Sequence, residues 1–459
     1  GPDRADAMSP VLAAISDSPG LLEVLLLVGK IILIAHVILI LGALMVWGER
    51  RVAALMQDRL GPNRVGPGGL LQPAADGLKN ILKEETHPTE AHRTFFVLAP
   101  MLSIVPALVT FAVIPFAAPL RIGDAVVPMI VADLPVGVLF LLAFSSLGVY
   151  GIVLAGWASY NKYALLGGLR AGAQMISYEI ALGLSLVSVF FLTGNVGLPE
   201  VVWRQQEMNL WFALPLAVSF FFFWIASFAE TNRLPFDLPE AESELITGYH
   251  TEYSSMKFSM FFIAEYAHVL TVSALMATLF LGGWDIPGWQ GDDMLGFGAD
   301  GRWIGAEPAW WKTLLTLGAF AAKTFFFILV FMLVRWTVPR FRYDQVMDLG
   351  WKILLPAALA AVVVTAAAVL ALDSAGVRPS DLWLGFVPVY GLALSVVNLA
   401  MLAVVLWVMD RGRVLAGSGS LDERRTQARE LARRRQALLQ RRVAVDAPPA
   451  REATTGTLG

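Results

Sequence analysis

Three glutamates stand where acids are costly. Glu179 lies in the run AQMISYEIALGLSLVSVFFL, Glu265 lies in FSMFFIAEYAHVL, and Glu230 comes two residues after the end of the apolar run LWFALPLAVSFFFFWIASF. Glu230 also begins an acidic stretch, residues 229–253, AETNRLPFDLPEAESELITGYHTEY. It holds the carboxylates Glu230, Asp237, Glu240, Glu242, Glu244 and Glu252 against the single arginine Arg233. An acid near the centre of a membrane helix costs about 2.5–3.5 kcal/mol on insertion, while an apolar residue returns about 0.3–0.6, so one acid cancels roughly six leucines. Side chains kept at that cost more often line ion or proton routes than serve as glue between helices. The chemistry on offer is proton exchange. Glu49, at the inner end of the first apolar run, extends the set. Ordered by depth, Glu230 and Glu49 come first, then Glu179 and Glu265, then Lys323 and His36 near mid-plane; Lys323 reads equally well as a structural pair. For His36 and His268 a hydrogen bond to a neighbouring helix explains the residue as well as proton handling does.

The positioning elements follow from composition. Of 459 residues 57% are hydrophobic and 15% charged, with net charge −3 and mean hydropathy +0.64, against about 25% charged in an ordinary soluble domain. This is the composition of a polytopic all-α membrane protein. Runs of about 20 apolar residues span a hydrocarbon core of roughly 30 Å as helix, whereas barrel strands show period-2 alternation over about 10 residues. Cysteine is absent, which excludes thiolate-held iron-sulfur clusters and Cys-type zinc sites. Histidines at 36, 87, 92, 250 and 268 offer no metal-ligand spacing, so no bound metal or flavin is expected, and nothing points to nucleic acid.

Nine spans are expected, at about 21–47, 94–117, 134–156, 172–193, 210–229, 258–282, 310–336, 352–372 and 383–409. Residues 1–20 lack the basic region and small-residue site of a cleavable signal, so the first span should stay in the membrane. Arg50, Arg51, Arg59, Arg64, Lys79, Lys83 and Arg93 follow the first span, and the connections at 157–171, 230–257 and 337–351 and the tail carry most other cations. Each remaining connection has one, Arg121, Arg204, Arg302 or Arg378. Cytoplasmic loops collect Lys and Arg, which sets the N-terminus outside and the tail in the cytoplasm. No internal repeat is present.

Two segments are amphipathic. PAADGLKNILKEE, opened by Pro73, sets Leu78, Ile81 and Leu82 opposite Asp76, Lys79 and Lys83; it is either a surface anchor or one wall of an opening through which an amphiphile leaves the bilayer. After the last span, LDERRTQARELARRRQALLQRR reads as a basic helix, lying on anionic lipid or docked on a partner.

Five loop motifs, GERRVAALMQDRLGPNRVGPGGLLQPAADGLKNILKEE, GWASYNKYALLGGLRAGAQMISYE, AETNRLPFDLPEAESELITGYHTEY, FFIAEY and PRFRYDQVMDLGWK, closely resemble, in order and spacing, the H subunit of bacterial NADH-quinone oxidoreductase, or complex I, the counterpart of mitochondrial subunit 1. The likeness covers about residues 21–372. It implies a membrane subunit that touches the peripheral arm and forms most of a quinone tunnel, ubiquinone or menaquinone being the substrate. Glu49, Arg50, Asp76, Glu84, Arg170 and Arg340 are implied to line or support that tunnel. Glu179, Glu230 and Glu265 are implied to belong to a glutamate path toward the proton channels, with Asp237, Glu240, Glu242, Glu244 and Glu252 in the loop beside the quinone cavity. Beyond residue 373 the pattern departs from the family, adding a span and a basic tail.

The expected organisation is therefore an extracytoplasmic segment (1–20), a quinone-tunnel and proton-coupling domain (21–372), an additional span (373–409) and a basic cytoplasmic tail (410–459). The expected function is coupling of quinone reduction to proton translocation in the bacterial cytoplasmic membrane, with electron carriers in partner subunits of complex I. An autonomous proton or cation transporter and a quinone-free scaffold are the rivals.

Overall fold

Long, mostly apolar sequence makes the first helix, α1 (Leu21–Met56), which continues through the charged GERRVAALM segment. It stops before Asp58, whose φ of 54° lies in the left-handed region that ends helices. The computed structural model describes residues 21–122, 125–239, 242–292, 294–297, 303–379, 382–383, 387–410, 429–430 and 433. α2 (Gln72–Leu82) has its proline in the first turn, where no N–H is needed. Then come α3 (Arg93–Val109), α4 (Gly137–Ala158), α5 (Lys162–Thr193), α6 (Leu198–Met208), α7 (Ala217–Glu230), α8 (Glu242–Leu245) and α9 (Ser255–Phe280). α10 (Trp310–Thr337) and α11 (Tyr343–Asp348) follow; a π-helical stretch, Leu349–Leu354, joins α11 to α12 (Leu355–Ser374), and α13 (Val389–Asp410) comes last. Among the described residues three two-stranded antiparallel hairpins, β1–β2 (Leu120–Ile122, Ala125–Val127), β3–β4 (Met294–Phe297, Trp303–Gly305) and β5–β6 (Leu382–Trp383, Val387–Pro388), decorate the connections.

Among the described residues eight helices are long and apolar enough to cross a membrane. The remaining expected span, the fifth at 210–229, is a shorter apolar helix, α7, of 14 residues. At 1.5 Å per residue it is about 21 Å long, short of the roughly 30 Å hydrocarbon core. Pro215 lies in the turns ahead of α7, and most of its side chains are buried against other helices.

The Gly-rich segment expected as a loop at 157–171 is helical. Only Ser159–Asn161 separate α4 from α5, and Asn161 caps α5 by accepting the Tyr163 N–H at 2.9 Å. The glycines serve close packing instead of turning: a Cβ on Gly156 would stand 2.5 Å from the Ala164 carbonyl, and one on Gly167 2.8 Å from the Tyr249 N. Small residues let membrane helices approach in this way.

The connections sort to two ends. At one end Asn80 donates to Ser259 at 2.7 Å, Lys257 pairs with Glu85 at 2.6 Å, Asn161 donates to Glu252 at 2.7 Å, and Phe341 N–H meets the Pro235 carbonyl at 3.1 Å. At the other, Thr313 donates to the Pro119 carbonyl at 2.9 Å, Arg121 approaches Glu307 at 3.7 Å, and Ala213 N–H meets the Phe280 carbonyl at 2.9 Å. The first end holds the cation-rich loops. The chain divides into two units, residues 1–405 and 406–459; the basic helix expected in the tail lies almost entirely outside the described residues.

Candidate functional site

The network begins at Glu49, in the C-terminal part of α1, 6% exposed. Its carboxylate accepts from Tyr266 Oη on α9 at 2.6 Å, from Arg233 of the loop after α7 at 3.4 Å, and from Arg335 of α10. Arg233 lies over the Tyr266 ring at 4.3 Å. Four elements thus converge on one buried acid, and the two guanidiniums and the phenol supply the partners a buried charge requires.

Beside it lies a pocket of about 370 Å³, lined among others by Glu49, Arg50, Arg59, Tyr266, Arg335 and Trp336. Its rim includes Leu60, 87% exposed. Arg50 at the wall pairs with Asp76 of α2 at 2.6 Å, and Lys79 stands 3.6 Å from the same carboxylate. Partial burial opposes ionisation of Asp76, but the hydrogen bonds from Arg50 and Gln72 and the two nearby cations outweigh it and hold the carboxyl below its ordinary value.

Behind Tyr266 the next residue back, Glu265, faces a second space. This is a small cavity of about 30 Å³ lined by polar Ser103, Glu230, Asn232, Tyr249, Glu265 and His268 and by apolar side chains. It has room for one or two waters. Tyr249 Oη donates to Glu265 at 3.1 Å, and Ser145 of α4 donates to Glu230. Arg233 stands within electrostatic reach of both Glu49 and Glu265, and Glu179 within that of Glu230. Glu179 itself is half-buried on α5. Gln174, one turn before, donates to the Ala229 carbonyl at 2.8 Å, the Phe236 carbonyl at 2.7 Å and Asn232 Oδ1 at 3.2 Å, and so moors the whole 229–236 loop.

The acidic stretch is not one pool of negative charge. Asp237 pairs with Arg340 at 2.8 Å, Glu244 with Arg170 at 2.6 Å, and Glu252 with the Asn161 amide, each in a different place. Burial lifts the Asp237 carboxyl above its ordinary range, with Arg340 opposing. Glu240 lies outside the described residues, and so does the side chain of Glu242, which opens α8. Arg340 and Arg170 support this loop and do not line the 370 Å³ pocket. Glu84 is exposed, and the neighbouring Glu85 makes the ion pair instead.

The depth series expected from the sequence ends at Glu179 and Glu265. Lys323 turns toward the opposite end, where its ammonium donates to the carbonyls of Leu281 (2.5 Å), Gly283 (3.1 Å) and Asp285 (2.5 Å), and lies 4.3 Å from the Trp211 ring centre. Its three donors are consumed in capping the end of α9. His36 faces outward, its Nδ1–H donating to the Ile32 carbonyl one turn back at 2.8 Å. Sequence reading passed over Arg335, Tyr266, Tyr249 and Ser145. Arg335 resembles an ordinary interfacial cation at a span end, and only the rotation of α10 points it at Glu49. Tyr266 carried a faint signal, a phenol directly after an intramembrane acid.

Fold and site together define a multi-pass α-helical membrane protein with an interior network of acids and arginines beside a pocket at its cation-rich end. Residues 29–366 match the family described as NADH dehydrogenase. Similar proteins include an NADH-quinone oxidoreductase H subunit of Koribacter versatilis, the second of that name there, 46% identical over 353 residues, 73% of this chain and 95% of that one. The first of the H subunits of Geobacter metallireducens is 47% identical over 76% of this chain and 98% of its own length, and the H subunit of Thermomicrobium roseum is 49% identical over 72% and 92%. This chain belongs to the family of NADH-quinone oxidoreductase H subunits.

Proposed function

We propose that the chain couples quinone reduction to proton translocation as the membrane subunit of a bacterial NADH-quinone oxidoreductase. The pocket beside Glu49 is the part of a quinone tunnel that this subunit supplies. Ubiquinone or menaquinone enters past the exposed apolar residues near Leu60, the isoprenoid tail lying along apolar side chains. Arg50, supported by Asp76, and Arg335 steer the headgroup, with Arg340, Arg170 and Glu84 as outer supports. Electrons come from carriers in peripheral-arm subunits, and no flavin, cluster or metal is assigned to this chain. The N-terminus lies outside the cytoplasmic membrane and the tail within the cytoplasm. Residues 21–372 carry the coupling; the additional span and the tail carry no assigned role.

One observation supports this reading above others: Arg233 is shared between Glu49, which faces the pocket, and Glu265, which faces the small cavity. Quinone reduction takes up two protons. A carboxylate that changes its proton occupancy beside the headgroup changes the charge that Arg233 must balance, and the field at Glu265 changes with it. Glu230 and Glu179 continue the route, and the acids of the 237–252 loop, Asp237, Glu240, Glu242, Glu244 and Glu252, stand on the quinone side.

Photoreactive quinone applied to membranes containing the complex, followed by peptide mapping, tests the tunnel. Label is expected in residues 49–93 and 230–266; label confined elsewhere removes the assignment. Glu265→Gln tests the coupling: a quinone-free scaffold assembles and keeps full turnover, while the coupling element assembles and loses pumping.

A further inference from the structure

His268 has no assigned part in the route just described, yet it is a titratable side chain on the small cavity between two of its acids. It follows Glu265 by three residues on α9, so the two side chains share a helix face. Both are half-buried, and both line the cavity that Glu230 also lines. No hydrogen-bond partner for the imidazole occurs among the described residues, and the ring borders space for one or two waters.

The opposite wall sets the ring beside Glu230. A Cβ on Gly148 would lie 3.6 Å from His268 Nε2, so the absence of a side chain on Gly148 leaves the nitrogen open. Ser145, one turn earlier on α4, holds Glu230. Residues three apart on a helix stand about 5–6 Å apart. Nε2 and the Glu230 carboxylate therefore approach neighbouring positions on the same helix, while Glu265 is held by Tyr249.

We infer that His268 relays protons between Glu265 and Glu230 through water in this cavity, an inference that rests on the coupling reading. One ring nitrogen accepts a proton released by the Glu265 carboxyl, and the other gives its proton to the Glu230 carboxylate. Glu265 ends ionised and Glu230 neutral; the imidazole ends in its other tautomer and is reset when the ring turns or protons pass through the cavity water. No electrons move. Imidazole is the side chain whose ordinary pKa, about 6.5, lies closest to neutrality and which holds a donor and an acceptor at once. The titratable or charged groups facing it are Glu265, Tyr249 and Glu230, with Arg233 acting on Glu265 from behind.

The test compares His268→Asn, which keeps one donor and one acceptor group but does not titrate, with Glu265→Gln in the assembled complex. Turnover with quinone, protons moved per electron, and the pH-rate profile are measured. His268→Asn is expected to assemble, to lower turnover severalfold, and to lower the number of protons moved per electron. Parental rate, proton yield and profile in His268→Asn, with Glu265→Gln impaired, would overturn the relay and leave the carboxylate route standing. If Glu265→Gln is also unimpaired, the coupling reading fails and the relay with it. His268→Gln serves if the asparagine variant does not assemble, and failure of both to assemble would overturn the relay by showing that the ring is needed for packing.

Discussion

Glu49 takes its three donors from three different elements, so each donor's removal has a distinct consequence. Replacing Glu49 by Gln removes the carboxylate that Arg233 and Arg335 both bond, and breaking a buried pair from one side costs about 3–5 kcal/mol. The detergent-purified complex should therefore melt at a clearly lower temperature in E49Q than in the parent, and a parental midpoint would mean that water or lipid phosphate already balances these arginines. Tyr266→Phe removes one hydrogen bond to a charged group, worth about 1.5–3 kcal/mol, and should give a smaller fall in the same measurement.

His250, in the turn Gly248–His250, gives a pH dependence of definite sign. It is buried, stacked at 5.2 Å on Phe258 and 4.8 Å on Tyr249, and burial pulls its pKa from 6.5 down to about 4. Above pH 6.5 the ring is neutral folded and unfolded, and contributes nothing to pH dependence. As pH falls from 6.5 toward 4 the unfolded ring takes up a proton that the folded one refuses, so stability is lost, on the order of 3 kcal/mol by pH 4. His250→Phe should shallow the fall in melting temperature between pH 7 and pH 5; an unchanged slope would assign that fall to other groups.

At the scale of elements, the contact between α4 and α5 is set by missing side chains. A methyl on Gly156 meets the Ala164 carbonyl, which belongs to helix backbone and cannot swing away. Gly156→Ala should cost about 1–3 kcal/mol through overpacking and reduce the yield of assembled complex on native gels. The loop after α7 depends on one amide in a different way. Gln174→Leu deprives two backbone carbonyls and Asn232 of their donor, at about 1–3 kcal/mol for each buried group left unsatisfied. Hydrogen exchange should then quicken selectively in residues 229–238. Uniform exchange across the subunit would show that the loop is moored elsewhere.

The whole molecule is organised by which end each connection occupies. The absence of cysteine makes that testable without background labelling. His87 and Gln290 are both exposed and lie in connections at opposite ends. In intact cells a membrane-impermeant maleimide should label Gln290→Cys and spare His87→Cys until the membrane is opened. The reverse pattern would invert the orientation and set the Glu49 pocket on the outer side, away from the NADH-oxidising partners.

Membrane character, eight of the nine expected spans and the sorting of cations into alternate loops were legible in the chain because insertion energies add residue by residue along it. The same local energetics exposed Glu179, Glu230 and Glu265, since an acid in an apolar run is conspicuous wherever the helix points. Local sequence misled where one residue type serves two ends. Gly167 and Gly168, in the connection expected at 157–171, read as loop because glycine turns chains, yet they sit inside a helix because glycine also lets helices touch. Lys323 read as part of the interior series because its depth was inferred from position in a span, whereas a long side chain chooses its end by what it can reach. Only the tertiary structure decided which charges meet. Residues 49, 233, 266 and 335 come from four separate elements, and their encounter depends on the rotation and crossing of whole helices, which small contacts distributed over every interface determine and no single stretch of sequence contains.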